Sequence, residues 1–290
     1  MEFQLFLPQM RMSLPTMLQR VDAAIDSGFD GVALMDHLAP PLAENRPMWD
    51  AMITAAWLGA NTTGTVGHLV LCDSFRHPAV LARQAVTLDH ATSGRFELGI
   101  GWGSVPTEFE TFGVGDTAPR ARVDRLTETL EVVTALWSGE RVSYSGRHHT
   151  LSGAQQLPTP IGRIPIVIGG SGPRTLALVA RFADWWNCPI HRLRRFSEMR
   201  EQIGGARSSI QQRVTFIPEG SNRAAITETA LRRFSNVGHV IGDAEELTEH
   251  FAARAAAGIE RIYVWMSDFA LPETVSEFGE TVIAPTRLAR

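Results

Sequence analysis

Residues 66–101, VGHLVLCDSFRHPAVLARQAVTLDHATSGRFELGIG, contain one complete strand–helix–strand unit. The apolar run 66–71 predicts one strand, and the run 95–101 predicts a second. Between them, Pro78 at a first helical turn and apolar residues at helical spacing predict a helix over 78–91. Because two strands joined by such a helix run parallel in one sheet, this stretch predicts an α/β fold.

The same alternation of short apolar runs and amphipathic segments continues on both sides of this unit. Eight runs predict strands, and 290 residues suit one (β/α)8 TIM barrel, which takes roughly 250. We therefore expect a TIM barrel formed as one domain over residues 1–290. The predicted strands cover residues 3–7, 29–35, 66–71, 95–101, 164–168, 184–188, 214–218 and 259–266. The predicted helices cover residues 14–27, 48–61, 78–91, 120–137, 174–182, 223–235 and 244–257.

Three segments depart from this alternation of predicted strands and helices. Residues 102–119 are rich in Gly, Pro and Thr, so a long loop is expected after the fourth strand. Residues 141–157 predict a small β-hairpin around Ser145-Gly146, outside the barrel. Residues 191–213 show no clear period, and the sequence predicts no element for most of them.

Composition excludes several classes of protein. The net charge of −4 provides no basic field for nucleic acid or anionic lipid. No apolar stretch approaches the ~20 residues that span a bilayer, and residues 1–8 carry no signal-peptide pattern. Two cysteines suit a reducing compartment rather than a disulfide framework. We expect a cytoplasmic enzyme with a small-molecule substrate and no nucleic-acid or membrane partner.

Two polar segments follow predicted strands, at the end of a barrel where active sites lie. Asp36-His37 closes the second strand, and an imidazole oriented by a carboxylate can relay protons near neutral pH. The alternative is that Asp36 caps a loop and His37 is half-buried. After the third strand, Arg76 and His77 are predicted to be structural ties between loops.

Two glycine-rich segments complete this end of the predicted barrel. Gly101 and Gly103, on either side of Trp102, allow close approach of backbone to a ligand. They do not form the dinucleotide-binding fingerprint, because a loop rather than a helix follows them. The run 169–172 leads into a helix, so it is either an anion site or a tight turn with an N-cap. That run consists of Gly169, Gly170, Ser171 and Gly172.

Other chemistries find less support. The sequence holds no HExxH motif, no close Cys/His pair and no G-x-S-x-G elbow, so it predicts no metal site and no nucleophile elbow. A barrel hydrolase that uses Glu97, Glu108 or Glu110 is a distant alternative, and it requires closely set carboxylates. A barrel that binds a ligand without catalysing a reaction is another distant alternative.

Taken together, Ser74 to Ala79, Thr87 to Asp89 and the run 93–101 resemble the luciferase-like monooxygenase superfamily. Further similar segments follow in order along the chain, and the resemblance is weakest between residues 191 and 236. They are Glu108-Phe109, Phe112-Gly113, Arg122 with Leu136-Trp137, Ile168 to Gly170, Ala183 to Asn187, Val240 to Gly242 and Gly258-Ile259.

The resemblance implies a barrel that binds FMN or the deazaflavin coenzyme F420, as a homodimer. It implies that the Asp36-His37 pair lies beside the reactive ring, as in the deazaflavin branch. It also implies that residues 69–73 form a bulge behind the ring, often with a non-proline cis peptide bond, and that residues 169–172 hold the phosphate. The cofactor-binding residues that follow are Leu69, Val70, Cys72, Gly101, Trp102, Gly103, Gly169, Gly170, Ser171 and Gly172.

The chain also departs from the family pattern. Some deazaflavin dehydrogenases have a glutamate acid directly after the fourth-strand glycines, where this chain has Ser104, with Glu108 further along. Our hypothesis is hydride transfer with F420, in which His37 donates or accepts the accompanying proton and Asp36 orients the imidazole of His37. An FMN-dependent monooxygenase is the alternative. The basic run 191–195 either receives the anionic tail of F420 or is a solvated helix face.

Overall fold

The barrel is closed by eight parallel strands. The computed structural model describes residues 1–41, 43, 46–116, 118–234 and 237–288. Its strands are β1 Glu2–Phe6, β2 Gly31–Leu34, β3 Thr65–His68, β4 Leu71–Cys72, β5 Phe96–Gly101, β6 Val142–Ser145, β7 Thr150–Ala154, β8 Ile166–Gly169, β9 Trp185–Cys188, β10 Arg207–Phe216, β11 His239–Gly242 and β12 Arg261–Met266. The barrel order is β1-β2-β3-β5-β8-β9-β10-β12, and β12 pairs again with β1. The prediction of a (β/α)8 barrel is confirmed.

Helices surround the barrel and begin where the sequence supplies start signals. Ser13 caps α1 and Asp50 caps α2, each accepting a backbone N–H of the first turn. A capping box of Asp243 and Glu246 starts α9. The helices are α1 Leu14–Asp26, α2 Ala51–Asn61, α3 Pro78–Ala91, α4 Pro106–Phe112, α5 Pro119–Leu136, α6 Pro173–Phe182, α7 Phe196–Arg200, α8 Arg223–Arg233, α9 Ala244–Ala256, α10 Pro272–Phe278 and α11 Ala284–Leu288, with a π-helical turn over Gly279–Ile283.

Helix α4 lies where the sequence predicted a long loop. Pro106 stands in its first turn, and Gly113 ends it in the left-handed conformation with φ +64°. The expectation of an irregular segment over 102–119 was therefore wrong for its central seven residues. The hairpin predicted over 141–157 is present as β6 and β7, which form a separate antiparallel sheet.

The seventh barrel strand is longer than the predicted run 214–218. β10 starts at Arg207 and pairs with both β9 and β12. Its first half is polar, so it lacks the apolar run that marks a buried strand. Neighbouring elements satisfy these polar groups, because Ser208 Oγ donates to Gly258 O at 2.6 Å and Ser209 Oγ donates to Trp186 O at 3.0 Å.

Two further differences lie in the last third of the chain. β11, which was not predicted, pairs in parallel with residues 213–216 of β10. The helix predicted over 223–235 ends at Arg233, and the predicted end at Ser235 lies outside the described residues. None of the helices in the described part of the chain is both long and apolar enough to cross a membrane.

A buried ion network fills the amino-terminal end of the barrel. Arg261 is 3% exposed and donates to Glu97 at 2.7 and 2.9 Å and to Glu2 at 2.6 and 2.9 Å. Its guanidinium lies 3.7 Å from the ring centre of Trp185 and 3.1 Å from the Tyr263 hydroxyl. The network joins β1, β5, β9 and β12, so it ties together strands that are far apart in sequence.

Replacing Arg261 with Ala is expected to lower the free energy of unfolding by about 3–5 kcal/mol, because the buried Glu97 carboxylate loses its cation. Urea unfolding followed by circular dichroism measures this change. The control is Arg223→Ala, since Arg223 forms exposed ion pairs with Asp243 and Glu246 that contribute less than about 1 kcal/mol each. Equal losses in both variants would contradict the role assigned to the network.

Candidate functional site

A cavity of about 1110 Å³ opens at the carboxyl ends of the barrel strands. The ends of β2, β5, β8, β9 and β10 contribute to its wall, together with β4 and α4. In a parallel barrel these strand ends meet at one face, which is where such enzymes bind their ligands. All of the predicted site residues line this one cavity: Asp36, His37, Leu69, Val70, Cys72, Gly101, Trp102, Gly103, Gly169, Gly170, Ser171 and Gly172.

His37 is held by a carboxylate from α4. Its Nδ1 lies 2.8 Å from Glu108 Oε2, and the His37 side chain is partly exposed to the cavity. The other oxygen of Glu108 accepts the backbone N–H groups of Leu38 at 2.8 Å and Ala39 at 3.1 Å. Burial raises the pKa of Glu108, but the hydrogen bonds from His37 and from these two N–H groups lower it more, so the net pKa is below its usual value.

The expectation that Asp36 orients His37 was wrong. Both oxygens of Asp36 bind the guanidinium of Arg76, and the Nη2–Oδ1 distance is 3.0 Å. Oδ2 also accepts the backbone N–H of Cys72 at 2.8 Å. Asp36 therefore joins the loop after β2 to the segment after β3. Arg76 is a structural tie between loops, as the sequence predicted. His77 instead caps α3 by accepting the N–H of Ala79.

The segment between β3 and β4 forms a bulge against the end of β5. The Leu69–Val70 peptide bond is cis, as the family resemblance implied. A Cβ atom on Gly101 would lie 2.8 Å from Val70 Cγ2. A Cβ on Gly103, which has φ +83°, would lie 2.6 Å from Phe109 and 2.8 Å from Cys72 Sγ. These glycines therefore allow protein segments to pack against one another, in addition to lining the cavity.

Cys72 lies beneath this bulge and lines the cavity. Burial raises the pKa of its thiol to about 12, and burial likewise raises the pKa of the Cys188 thiol to about 12. Both thiols are therefore neutral near pH 8 and are poor nucleophiles. Cys72 contributes shape and apolar surface to the cavity.

The run 169–172 connects β8 to α6. Gly172 is the N-cap of α6 and provides no side-chain acceptor, so the first-turn N–H groups of this helix have no cap. Gly170 has φ +138°, and a Cβ there would lie 2.8 Å from Thr175 Cγ2. Trp186 Nε1 donates to the Gly170 carbonyl at 2.7 Å, and this hydrogen bond holds the turn against β9. The arrangement is that of an anion cradle at a helix N-terminus.

Arginines outnumber carboxylates among the described residues of the cavity wall. Asp36 and Glu108 are both engaged as described above. The basic run 191–195 lies within a 3₁₀ helix, Ile190–Arg195, of which His191 and Arg192 reach the cavity while Arg195 pairs with Glu198. The cavity thus favours an anionic ligand. Its arginines are Arg120, Arg174, Arg192 and Arg213.

Sequence reasoning missed the partner of His37 and several polar residues of the wall, among them Asn187, Gln211 and Arg213. These three residues line the cavity from β9 and β10. Arg213 and Gln211 lie in the polar strand that has no apolar period, so no sequence signal marked them. Glu108 was noted as a family match, and the helix signals of Pro106 and Gly113 would have placed it on α4.

The carboxylates proposed for a hydrolase do not share a site. Glu97 is bound by Arg261 at the opposite end of the barrel. Glu110 is exposed on α4, while Glu108 binds His37. A glycosidase requires two carboxylates on either side of the bond that breaks. This arrangement does not provide that pair.

The family follows from comparison with known proteins. Residues 1–257 match the model of the luciferase-like monooxygenase family, so the chain belongs to this family. A relative from Microbacterium testaceum, an F420-dependent glucose-6-phosphate dehydrogenase, is 36% identical over 163 residues, which are 56% of this chain and 48% of the relative. An F420-dependent hydroxymycolic acid dehydrogenase from Mycobacterium tuberculosis is 29% identical over 231 residues, 76% of this chain and 63% of the relative.

A solved structure supports the same fold. An F420-dependent secondary alcohol dehydrogenase in complex with an F420-acetone adduct superimposes with a TM-score of 0.81 over 98% of each chain. Its sequence identity to this chain is 19%, so the likeness concerns the fold. The matched stretches span about half to two thirds of the length of the two curated relatives.

Neither cysteine is expected to react with iodoacetamide in the native protein at pH 8, because both thiols are buried and neutral. Mass spectrometry measures the alkylation, and both cysteines should be modified in urea. The positive control is Ser197→Cys, which adds a thiol at an exposed position of α7. Rapid alkylation of Cys72 in the native protein would contradict both the burial of this thiol and its raised pKa.

Proposed function

We propose that this chain is an oxidoreductase that transfers a hydride between coenzyme F420 and a small organic substrate. The observation that carries the proposal is that the His37–Glu108 pair, the apolar bulge at Leu69 and Val70 and the glycine cradle line one cavity. F420, when bound, supplies the two-electron donor or acceptor. The protein supplies binding, orientation and the proton.

The cavity fits a cofactor that has an anionic group and a flat ring. The uncapped N-terminus of α6 and the turn from Gly169 to Gly172 would hold the phosphate. The bulge at Leu69 and Val70 provides an apolar support for the ring. A volume of about 1110 Å³ lies just above the usual range for a drug-sized ligand, which suits a larger cofactor.

The acid–base group is His37. An ionised carboxylate can only accept hydrogen bonds, so Glu108 requires a proton on His37 Nδ1. Nε2 is then the nitrogen that accepts a proton from an alcohol. In the reverse direction, a protonated Nε2 donates its proton to the oxygen of a carbonyl. A substrate that changes between alcohol and carbonyl needs one such proton for each hydride.

The arginines suit the anionic tail of F420. His191 and Arg192 lie at the cavity wall together with Arg120 and Arg174. Arg174 is paired with Asp124, so Arg120 and Arg192 are the residues that would attract the carboxylates of an oligoglutamate tail. We infer an alcohol or carbonyl substrate from the acid–base group and from the two F420-dependent dehydrogenases that the chain is similar to. The homodimer and the cytoplasmic location stay predictions.

Equilibrium titration of the purified protein with F420 and with FMN, followed by ligand fluorescence, is expected to show tighter binding of F420. The reason is that F420 adds an anionic tail, which the wall arginines attract, to the phosphate that both ligands carry. Tighter binding of FMN would favour the oxygenase alternative. Binding of neither would contradict the proposed site.

The variant Ser171→Glu tests the cradle in the same titration. A carboxylate at this position would repel the phosphate, so a cost of about 1.4 kcal/mol or more should weaken F420 binding at least about tenfold. The matched control is Ser152→Glu, which places the same charge at an exposed position of β7. An equal effect of both variants would argue against a phosphate in the cradle.

Replacing His37 with Asn is expected to lower turnover by roughly 10² to 10⁴-fold, since the proton transfer loses its acid–base group. F420 reduction with glucose 6-phosphate and with propan-2-ol, followed by the absorbance of the oxidised coenzyme, measures the rate. F420 affinity should not change. Unchanged turnover with the variant would remove His37 from the mechanism.

A further inference from the structure

We propose that Glu108 is the positioning residue of His37, and that it fixes the ring in the Nδ1-protonated tautomer so that Nε2 is the nitrogen available to the substrate. The use of that nitrogen in catalysis rests on the function proposed above. The arrangement of Glu108 and His37 stands on the geometry of α4 and of the loop after β2.

The carboxylate of Glu108 is oriented by contacts other than the imidazole. Oε1 accepts two backbone N–H groups, from Leu38 at 2.8 Å and from Ala39 at 3.1 Å. Because the backbone holds one oxygen, the second oxygen has a fixed place, 2.8 Å from His37 Nδ1. The side chain of Glu108 is 8% exposed, so water competes little for these bonds.

The charge of Glu108 decides which tautomer forms. The net lowering of its pKa by its three donors keeps Glu108 ionised at neutral pH. An ionised carboxylate offers acceptors and no donor, so the facing Nδ1 must carry a proton. In the neutral ring Nε2 then has a free lone pair. A donor in place of this carboxylate would favour the opposite tautomer.

Helix α4 is docked by contacts that do not involve Glu108. The guanidinium of Arg122 lies 4.9 Å from the ring centre of Trp102 and 4.6 Å from that of Phe109. Phe109 is buried and also packs on Phe75, with ring centres 6.0 Å apart. A change of the Glu108 carboxylate is therefore expected to leave the helix in place.

Glu108 does not occupy the position of the acid that the family resemblance implies. The position directly after the β5 glycines holds Ser104 in this chain. From α4, four residues further along, Glu108 contacts the imidazole rather than presenting a free acid to a substrate. The proton-transfer group of this chain is then His37, and the carboxylate acts through it.

The test is the tautomer of His37, measured at pH 8 by nitrogen–proton NMR correlation of protein with ¹⁵N-labelled histidine. The signal of His37 is assigned by its loss in His37→Asn. In the wild-type chain Nδ1 should carry the proton. In Glu108→Gln the carboxamide keeps the shape of the side chain but presents an NH₂ group, so the Nδ1 proton should be lost and the Nε2–H tautomer should appear.

The matched control is Glu110→Gln, which removes the same charge from an exposed position on the same helix. It should leave the His37 tautomer unchanged. If Glu108→Gln does not fold, as judged by circular dichroism, Glu108→Ala takes its place, and the Nδ1–H tautomer should again cease to dominate. A His37 signal that keeps its Nδ1 proton in the folded variant would overturn the proposal.

A purely structural role for Glu108 predicts a different result. A carboxylate that only tied α4 to residues 38 and 39 would affect the unfolding temperature and not the tautomer. Titration of the wild-type chain with F420, followed by fluorescence, separates this proposal from the proposed function. Absence of F420 binding in the wild-type chain contradicts the function proposed above, whereas the tautomer result stands or falls independently of the cofactor.

Discussion

Closure of β1 onto β12 is the constraint on which the other features depend. When eight parallel strands close, their carboxyl ends must meet at one face and their amino ends at the other. The closed barrel has no exposed edge, and its interior is filled by side chains. The amino end is sealed by Arg261 and its two carboxylates, whereas the carboxyl end remains open as a cavity. The buried ion network and the cavity therefore lie at opposite ends of one barrel.

At the open end, one ion pair joins two loops, and a second pair has the catalytic role proposed above. Asp36 and Arg76 join the segments that follow β2 and β3, and neither has a carboxylate or guanidinium edge left for the imidazole. Glu108 comes from a helix after β5 and meets His37. The two carboxylates are thus distinguished by their partners. One is paired with a permanent cation, and the other is paired with a ring that can gain and lose a proton.

The cavity also depends on close approach between segments. The glycines at the end of β5 bring its backbone against the bulge and against Phe109, where a methyl group would clash. The guanidinium of Arg122 contacts the rings of both Trp102 and Phe109. Packing in this region therefore determines where α4 lies, and through α4 it determines where Glu108 meets the imidazole.

The sequence by itself determined the barrel, most of its strands and helices, and the set of strand-end residues that line the cavity. Apolar period, proline and cap residues act within a few positions of the chain, so local sequence carries that information. Only the tertiary structure decided the partner of His37, the extent of β10 and the arginine composition of the cavity wall. The partner is 71 residues away. The buried Ser208 and Ser209 of β10 donate their hydroxyls to carbonyl groups of Gly258 and Trp186, which are distant in sequence. Pairings between distant residues depend on how the closed barrel brings elements together, and no local pattern records them.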